Sequence, residues 1–245
     1  MGYIKTKGIV IKEVNTGEAD RIITIFSKSH GRISGAAKGA RRTKSKFVAS
    51  TALLCYSDFV LYKGREIYSI SSADVIEPFY ELRNDVVKLT YSAHILELVN
   101  DAIQENQPSS KLLQLVLNTL HMLAKSNQPP ELLIRIFELR MLKILGYAPH
   151  VNNCTMCGAD EGEMNFSFRH CGLLCRNCGM HDKLSIRINP GTVKALQHII
   201  YSAAGELFNF SVSDSVQGDL ERILKRYLRE RLEKDYKKLD FLKTL

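Results

Sequence analysis

Two Cys-x-x-Cys pairs, Cys154-Thr155-Met156-Cys157 and Cys175-Arg176-Asn177-Cys178, stand 17 residues apart in a chain of 245. Each short turn aims two sulfurs at one point, and the interval between the pairs lies within the window of four-thiolate zinc sites. Gly158 and Gly179 follow the pairs directly, where a residue without a Cβ lets the chain curl under a metal. Residues 150–183 are therefore expected to fold around one structural Zn2+ held by Cys154, Cys157, Cys175 and Cys178. Four protein ligands close such a site and leave no position for water. So short a segment buries little apolar surface, and its folding free energy would come largely from the metal. A disulfide arrangement, free thiols or a different metal are the competing readings. The first residues, Met-Gly-Tyr-Ile-Lys-Thr-Lys, lack a signal peptide's apolar core and cleavage site, which points to a cytoplasmic, reducing address. Cys171, His170 and His181 are near enough to be alternative ligands but read as bystanders. Cys55, in an apolar stretch, reads as a small core residue.

Charge is distributed unevenly. The formal net charge is +8, which by itself decides little. Between Asp20 and Asp58, however, there is no acidic residue, while Arg21, Lys28, Arg32, Lys38, Arg41, Arg42, Lys44 and Lys46 all fall in that interval. Eight cations in 37 residues without a compensating anion create a field that attracts phosphate backbones. The plainer alternative is a solvated basic loop.

Hydrophobic periodicity divides the chain. Strand-like runs occupy 3–12, 21–26, a stretch starting at 32–34, 52–62 and 65–75, with turns at Ser29-His30-Gly31 and Lys63-Gly64. Short strands split by short turns suggest a small antiparallel barrel. The glycine- and cation-rich stretch 35–46 is a loop within it. After Pro78 the period changes to 3–4 residues, and helices are expected at 80–105, 110–125, 130–145, 190–203 and 214–237. The fold class is α+β: an N-terminal antiparallel barrel at 1–78, then an all-α domain at 79–149 and 184–245, interrupted by the four-cysteine module at 150–183. Apolar residues at 45% and charged residues at 24% exclude global disorder, and no apolar run is long enough to cross a membrane.

Catalytic signatures are missing. There is no phosphate-binding G-x-x-x-x-G-K-[ST], no G-x-G-x-x-G, no H-E-x-x-H and no G-x-S-x-G, and the deaminase pattern is absent. A binding protein is favoured over an enzyme.

Three segments together resemble the RecO family of bacterial DNA repair and recombination mediators. The first is Gly17-Glu18-Ala19-Asp20-Arg21-Ile22 followed by His30-Gly31 and Ala37-Lys38-Gly39-Ala40-Arg41-Arg42-Thr43-Lys44-Ser45. The second is Phe137 to Pro149, and the third is the cysteine pattern itself. Where the family usually has a Gly-Gly pair before the second cysteine turn, this chain has Cys171-Gly172. The resemblance implies an N-terminal OB-fold and no enzymatic site. It implies binding of single- and double-stranded DNA and annealing of complementary strands. It also implies contact with RecR and with the acidic C-terminal tail of single-stranded-DNA-binding protein, and, with RecR and in some members RecF, help in loading RecA on coated single strands.

In an OB barrel, cations track phosphates while aromatics stack on bases. Lys38, Arg41, Arg42, Lys44 and Lys46 are the leading phosphate contacts, followed by Arg21, Lys28 and Arg32; Tyr3, Phe47 and Tyr56 are stacking candidates. The third helix offers Arg135 and Arg140, beside Leu132, Phe137 and Leu142, for the partner tail. The last helix interleaves Arg222, Lys225, Arg226, Arg229 and Arg231 with acids, which reads as a salt-bridged face more than a DNA contact. A zinc-containing RNA- or transcription-associated binding module is the alternative function, since basic charge and zinc alone would allow it.

Overall fold

A computed structural model describes residues 2–65 and 67–244. Glu66, inside the strand expected at 65–75, lies outside the described residues. Two compact units emerge, one formed by residues up to 126 together with those from 237 onward, the other by residues 127–236.

The first unit is built on a closed five-stranded barrel of β1 (Tyr3–Thr16), β2 (Asp20–Ser27), β3 (Gly31–Ala37), β4 (Tyr56–Lys63) and β5 (Tyr68–Glu77), in the order β1-β2-β3-β5-β4. All neighbours are antiparallel except β3 and β5, which run parallel through Gly35–Tyr68 and Ala36–Ser69. Alternate residues face inward, so Val10, Ile23, Ile25, Ile33, Phe59, Leu61 and Ile70 fill the interior. Closure removes free strand edges. β1 runs four residues further than its apolar pattern indicated, because the polar stretch Glu13–Thr16 pairs with Asp20–Ile23. β4 starts at Tyr56 rather than near 52. The preceding residues instead close short turns, with Thr51 Oγ1 donating to Phe47 O (2.6 Å), and Leu54 takes a left-handed backbone.

The helix expected at 80–105 is broken into α1 (Tyr80–Arg83) and α2 (Val86–Ala102). Asp85 is the reason: its Oδ1 accepts from the N–H groups of Val87 (2.9 Å) and Lys88 (3.0 Å) and caps a new start. α3 (Ser110–Lys125) completes the helices of this unit, and a 3-10 helix at Lys238–Thr244 packs on α2.

The second unit has α4 (Pro130–Ile144) at its centre, with Ile134, Ile136, Phe137, Leu139 and Met141 fully buried. Gly146 ends it in a left-handed conformation, and Tyr147 N–H returns to Leu142 O at 2.7 Å. A three-stranded sheet of β6 (Met164–Ser167), β7 (Gly172–Cys175) and β8 (Ile186–Arg187), with the short α5 (Arg176–Gly179), forms the cysteine module. α6 (Pro190–Tyr201) and α7 (Asp214–Leu232) follow. Among the described residues, no helix is long and apolar enough to cross a membrane.

Asp219 of α7 ties these last helices together. Its Oδ2 accepts from Asn189 N–H (2.9 Å) and Thr192 Oγ1 (2.8 Å) at the start of α6. Burial pushes its carboxyl up, but those donors and Arg222 outweigh the effect and hold it below the usual carboxylate range. Asp219→Ala is expected to destabilise this unit by about 2 kcal/mol at pH 7, since it orphans a buried N–H and a hydroxyl. A carboxylate held low stabilises the fold above its unfolded pKa of about 3.9, and that contribution drains as pH falls through the native value. Denaturant melts should therefore show the wild-type advantage at pH 7 shrinking below about pH 4.

Candidate nucleic-acid interface and metal centre

The basic loop leaves the end of β3 and is pinned to the barrel by its backbone. Gly39, in the left-handed region, donates its N–H to Asp20 Oδ1 at 2.7 Å, and Arg41 N–H reaches Ala19 O at 2.9 Å. The acid that precedes the loop in sequence, Asp20, is thus turned onto a backbone amide at the root of the loop. Lys38, Arg41, Arg42, Lys44 and Lys46 are all exposed. Arg41 reaches back to Glu18 O (3.3 Å) and Lys46 to Ser71 O on β5 (3.4 Å), so both ends of the cluster lie against the barrel.

The other cations do not all join this cluster. Arg21, beside the loop root, is largely buried, with an ion pair to Glu13 (3.3 Å) and a bond to Thr51 O (3.3 Å). In the β2–β3 register, Arg21 faces Ala37 at one end and Ser27 faces Gly31 at the other. Lys28 and Arg32 lie at that far end, about 20 Å along the hairpin. There the N–H groups of Arg32 and Asn106 bond Gln104 O and His30 O.

Of the stacking candidates, Phe47 is in the barrel core at 8% exposure, which removes it from any surface role. Tyr56 is half-buried at the start of β4. Tyr3 is 67% exposed, and its ring lies 5.2 Å from that of Tyr62, directly opposite it on β4. Tyr62 could not be found from sequence, because only the register reveals the pair.

On α4, Arg135 is buried and bonded to Glu138 at 2.6 Å. Arg140 Nη1 donates to Ile199 O (2.8 Å) and Ile200 O (2.7 Å), and its Nη2 to Ser202 O (2.9 Å), satisfying carbonyls that the end of α6 leaves open. Leu132, Phe137 and Leu142 are core residues. On α7, Arg226 pairs with Glu230 (2.7 Å) and lies over the Phe168 ring (3.9 Å), and Arg222 pairs with Asp219, as a salt-bridged face requires.

In the cysteine module, the Sγ atoms of Cys154, Cys157, Cys175 and Cys178 all lie within 4.8 Å of one another. Cys157 Sγ and Cys175 Sγ are 3.6 Å apart, close to the edge of about 3.8 Å of a tetrahedron with 2.3 Å metal–sulfur bonds. All six cysteines are free. The first turn closes through Gly158 N–H to Cys154 O (2.9 Å), with Gly158 in the left-handed region. At Gly179 a Cβ would meet the Asn165 side-chain amide at 2.3 Å, so glycine permits the close approach to β6. The four thiols cannot ionise together without a counter-charge. Burial raises Cys154, but the amides of Cys175, Cys157 and Met156 bring it down to about 6, whereas hydrogen bonds with Cys175 and Cys157 push Cys178 up to about 12. A thiophilic dication at the centre resolves that conflict, and the donor set fits one.

Cys171 stays outside the cluster, its Sγ 3.7 Å from Phe168 O. It takes a left-handed backbone (φ 51°), which explains why glycine suits this position. A Cβ at the retained Gly172 would meet His150 O at 2.4 Å. His170 and His181 are likewise outside the ligand group.

Comparison with known proteins agrees along the whole chain. A family described as "Recombination protein O N terminal" matches residues 1–79, and "Recombination protein O C terminal" matches residues 83–240. The chain is 56% identical over 246 residues to the DNA repair protein RecO of Acetivibrio thermocellus, covering 100% of this chain and 98% of that protein. It is 38% identical to that of Caldicellulosiruptor saccharolyticus, covering 100% of both chains, and 36% identical to that of Alkaliphilus metalliredigens, covering 99% of both. A barrel with an exposed basic loop, a helical unit bearing a four-cysteine centre, and family matches to both halves lead to one conclusion: the chain belongs to the RecO family of DNA repair proteins.

Proposed function

We propose that this chain is a nonenzymatic, cytoplasmic recombination mediator that binds single- and double-stranded DNA and anneals complementary strands. With RecR, it helps load RecA onto single strands coated by single-stranded-DNA-binding protein. One observation carries the reading: five exposed cations, Lys38, Arg41, Arg42, Lys44 and Lys46, gather on one loop whose neighbouring carboxylate, Asp20, is committed to the Gly39 amide. Phosphate contacts carry no base information, so binding is independent of sequence. Two strands neutralised on one surface repel each other less and meet at higher local concentration, which is what annealing needs. Arg21, paired with Glu13 and largely buried, braces the loop root instead of meeting DNA, while Lys28 and Arg32 would serve a strand long enough to run the length of the hairpin.

The four thiolates hold a structural Zn2+ in this reading, with no coordination position left for a substrate. The acidic tail of single-stranded-DNA-binding protein remains a proposed partner, but not on α4, where Arg135 is bonded to Glu138, Arg140 to carbonyls at the end of α6, and Leu132, Phe137 and Leu142 are buried. The decisive experiment is annealing of complementary oligonucleotides without any nucleotide cofactor. Annealing well above the spontaneous rate is expected. A rate no different from protein-free controls, or a strong preference for folded RNA over single-stranded DNA, overturns the proposal.

A further inference from the structure

We infer that Tyr3, backed by Tyr62, is a base-stacking platform for single-stranded nucleic acid on the outer wall of the barrel, used by the same strand whose phosphates lie on loop 38–46; the inference rests on the DNA-binding reading above. Ile4 packs against the barrel core, so its neighbour Tyr3 points away from it, and Leu61 is fully buried, so Tyr62 also points outward. The two rings meet at 5.2 Å and 58°, which holds Tyr3 in place while 67% of it remains open to solvent.

From Tyr62 the register continues to Ser69 on β5 and from there to Ala36 on β3. Both face outward, since Ile70 and Ala37 beside them are core residues. Two strand spacings, about 10 Å, thus separate Tyr62 from Ala36, and three, about 14 Å, separate Tyr3 from it; Ala36 stands two residues before Lys38. Lys46, bonded to Ser71 O, marks the same side of the barrel. Lys5, Lys63 and Arg65, all exposed, flank the tyrosines. Cations at both ends of a short lane with one exposed aromatic, Tyr3, backed by the half-buried Tyr62 form the arrangement single strands need: phosphates tracked by charge, bases laid on a π-face. A duplex, whose bases are already stacked, cannot use the platform. A cross-strand tyrosine pair that merely stabilised the sheet would act equally on every ligand.

The test compares wild-type protein with Tyr3→Ala, Tyr3→Leu and Tyr3→Phe. Each is titrated with a labelled single strand, with an abasic strand of the same length and with a duplex. Both Tyr3→Ala and Tyr3→Leu should bind the base-bearing strand about tenfold more weakly. Neither should change affinity for the abasic strand or the duplex, nor the salt slope. Tyr3→Phe should behave as wild type. Leucine preserves the apolar contact with Tyr62 and guards against a folding defect. An equal loss on base-bearing and abasic strands, or no loss on either, overturns the platform while leaving the basic-loop reading standing. Failure of wild-type protein to bind any of the three overturns both.

Discussion

Removing the metal from the cysteine module should unfold both cysteine turns and leave the barrel intact. Cys154→Ser with Cys175→Ser, or a strong chelator, takes away one ligand from each turn or the ion itself. The module contains only short strands, β6, β7 and β8, and its turns at Cys154–Gly158 and Cys175–Gly179 bury no side chain besides that of Cys154. Zinc-finger precedent sets the contribution of such an ion at roughly 10 kcal/mol. Phe166, packed edge-on against Tyr227 of α7 at 5.7 Å, gives the sheet an anchor that does not depend on the ion. Hydrogen exchange should therefore show the largest loss of protection at residues 153–159 and 175–182, a smaller one at β6 and β7, and none in the barrel, which belongs to a separate compact unit. Protein purified without a chelator should carry one zinc per chain by elemental analysis. No bound metal, or unchanged exchange at the turns after chelation, refutes the four-thiolate reading.

The second large effect concerns the basic loop. Replacing Lys38, Arg41, Arg42 and Lys44 together with Ala should weaken binding to every DNA sequence tested. Each neutralised phosphate contributes about 0.7 to the logarithmic salt slope on single strands, so losing four contacts should flatten the slope by up to about 3. Over a fourfold rise in salt, that is a difference of roughly 50-fold between the two proteins' losses of affinity. The fold should survive, because all four side chains are exposed and the loop is held by the Gly39 and Arg41 amides. Lys46 is left in place for its bond to Ser71 O. An unchanged slope would move the DNA site away from this loop. Such a result could not be blamed on unfolding if the melting temperature is kept.

Much of this was legible in one dimension. The Cys-x-x-Cys pairs identify all four sulfurs of the cluster, because each turn is too short to place its two cysteines anywhere but side by side. Gly146 and Pro149 bound α4 as their backbone preferences require. The break at Asn84–Asp85 was hidden by the uninterrupted apolar spacing on either side, and only the capping bonds of Asp85 expose it. The tail candidates on α4 showed the same difficulty. An apolar stripe beside arginines looks alike whether it faces a groove or a core, and here Phe137 and Leu142 are fully buried while Arg135 is matched to Glu138.

The amino-acid order by itself determined which residues could share a metal and where positive charge would accumulate, since both depend on neighbours a few positions apart. Tertiary structure alone decided which members of the charged stretch lie together, separating Lys28 and Arg32 from the loop. It also set Tyr3 against Tyr62 and in line with Ala36. The physical reason is strand register: barrel closure sets it through the packing of inward side chains far apart in the chain, and a slip of one residue would turn every one of these outward groups inside.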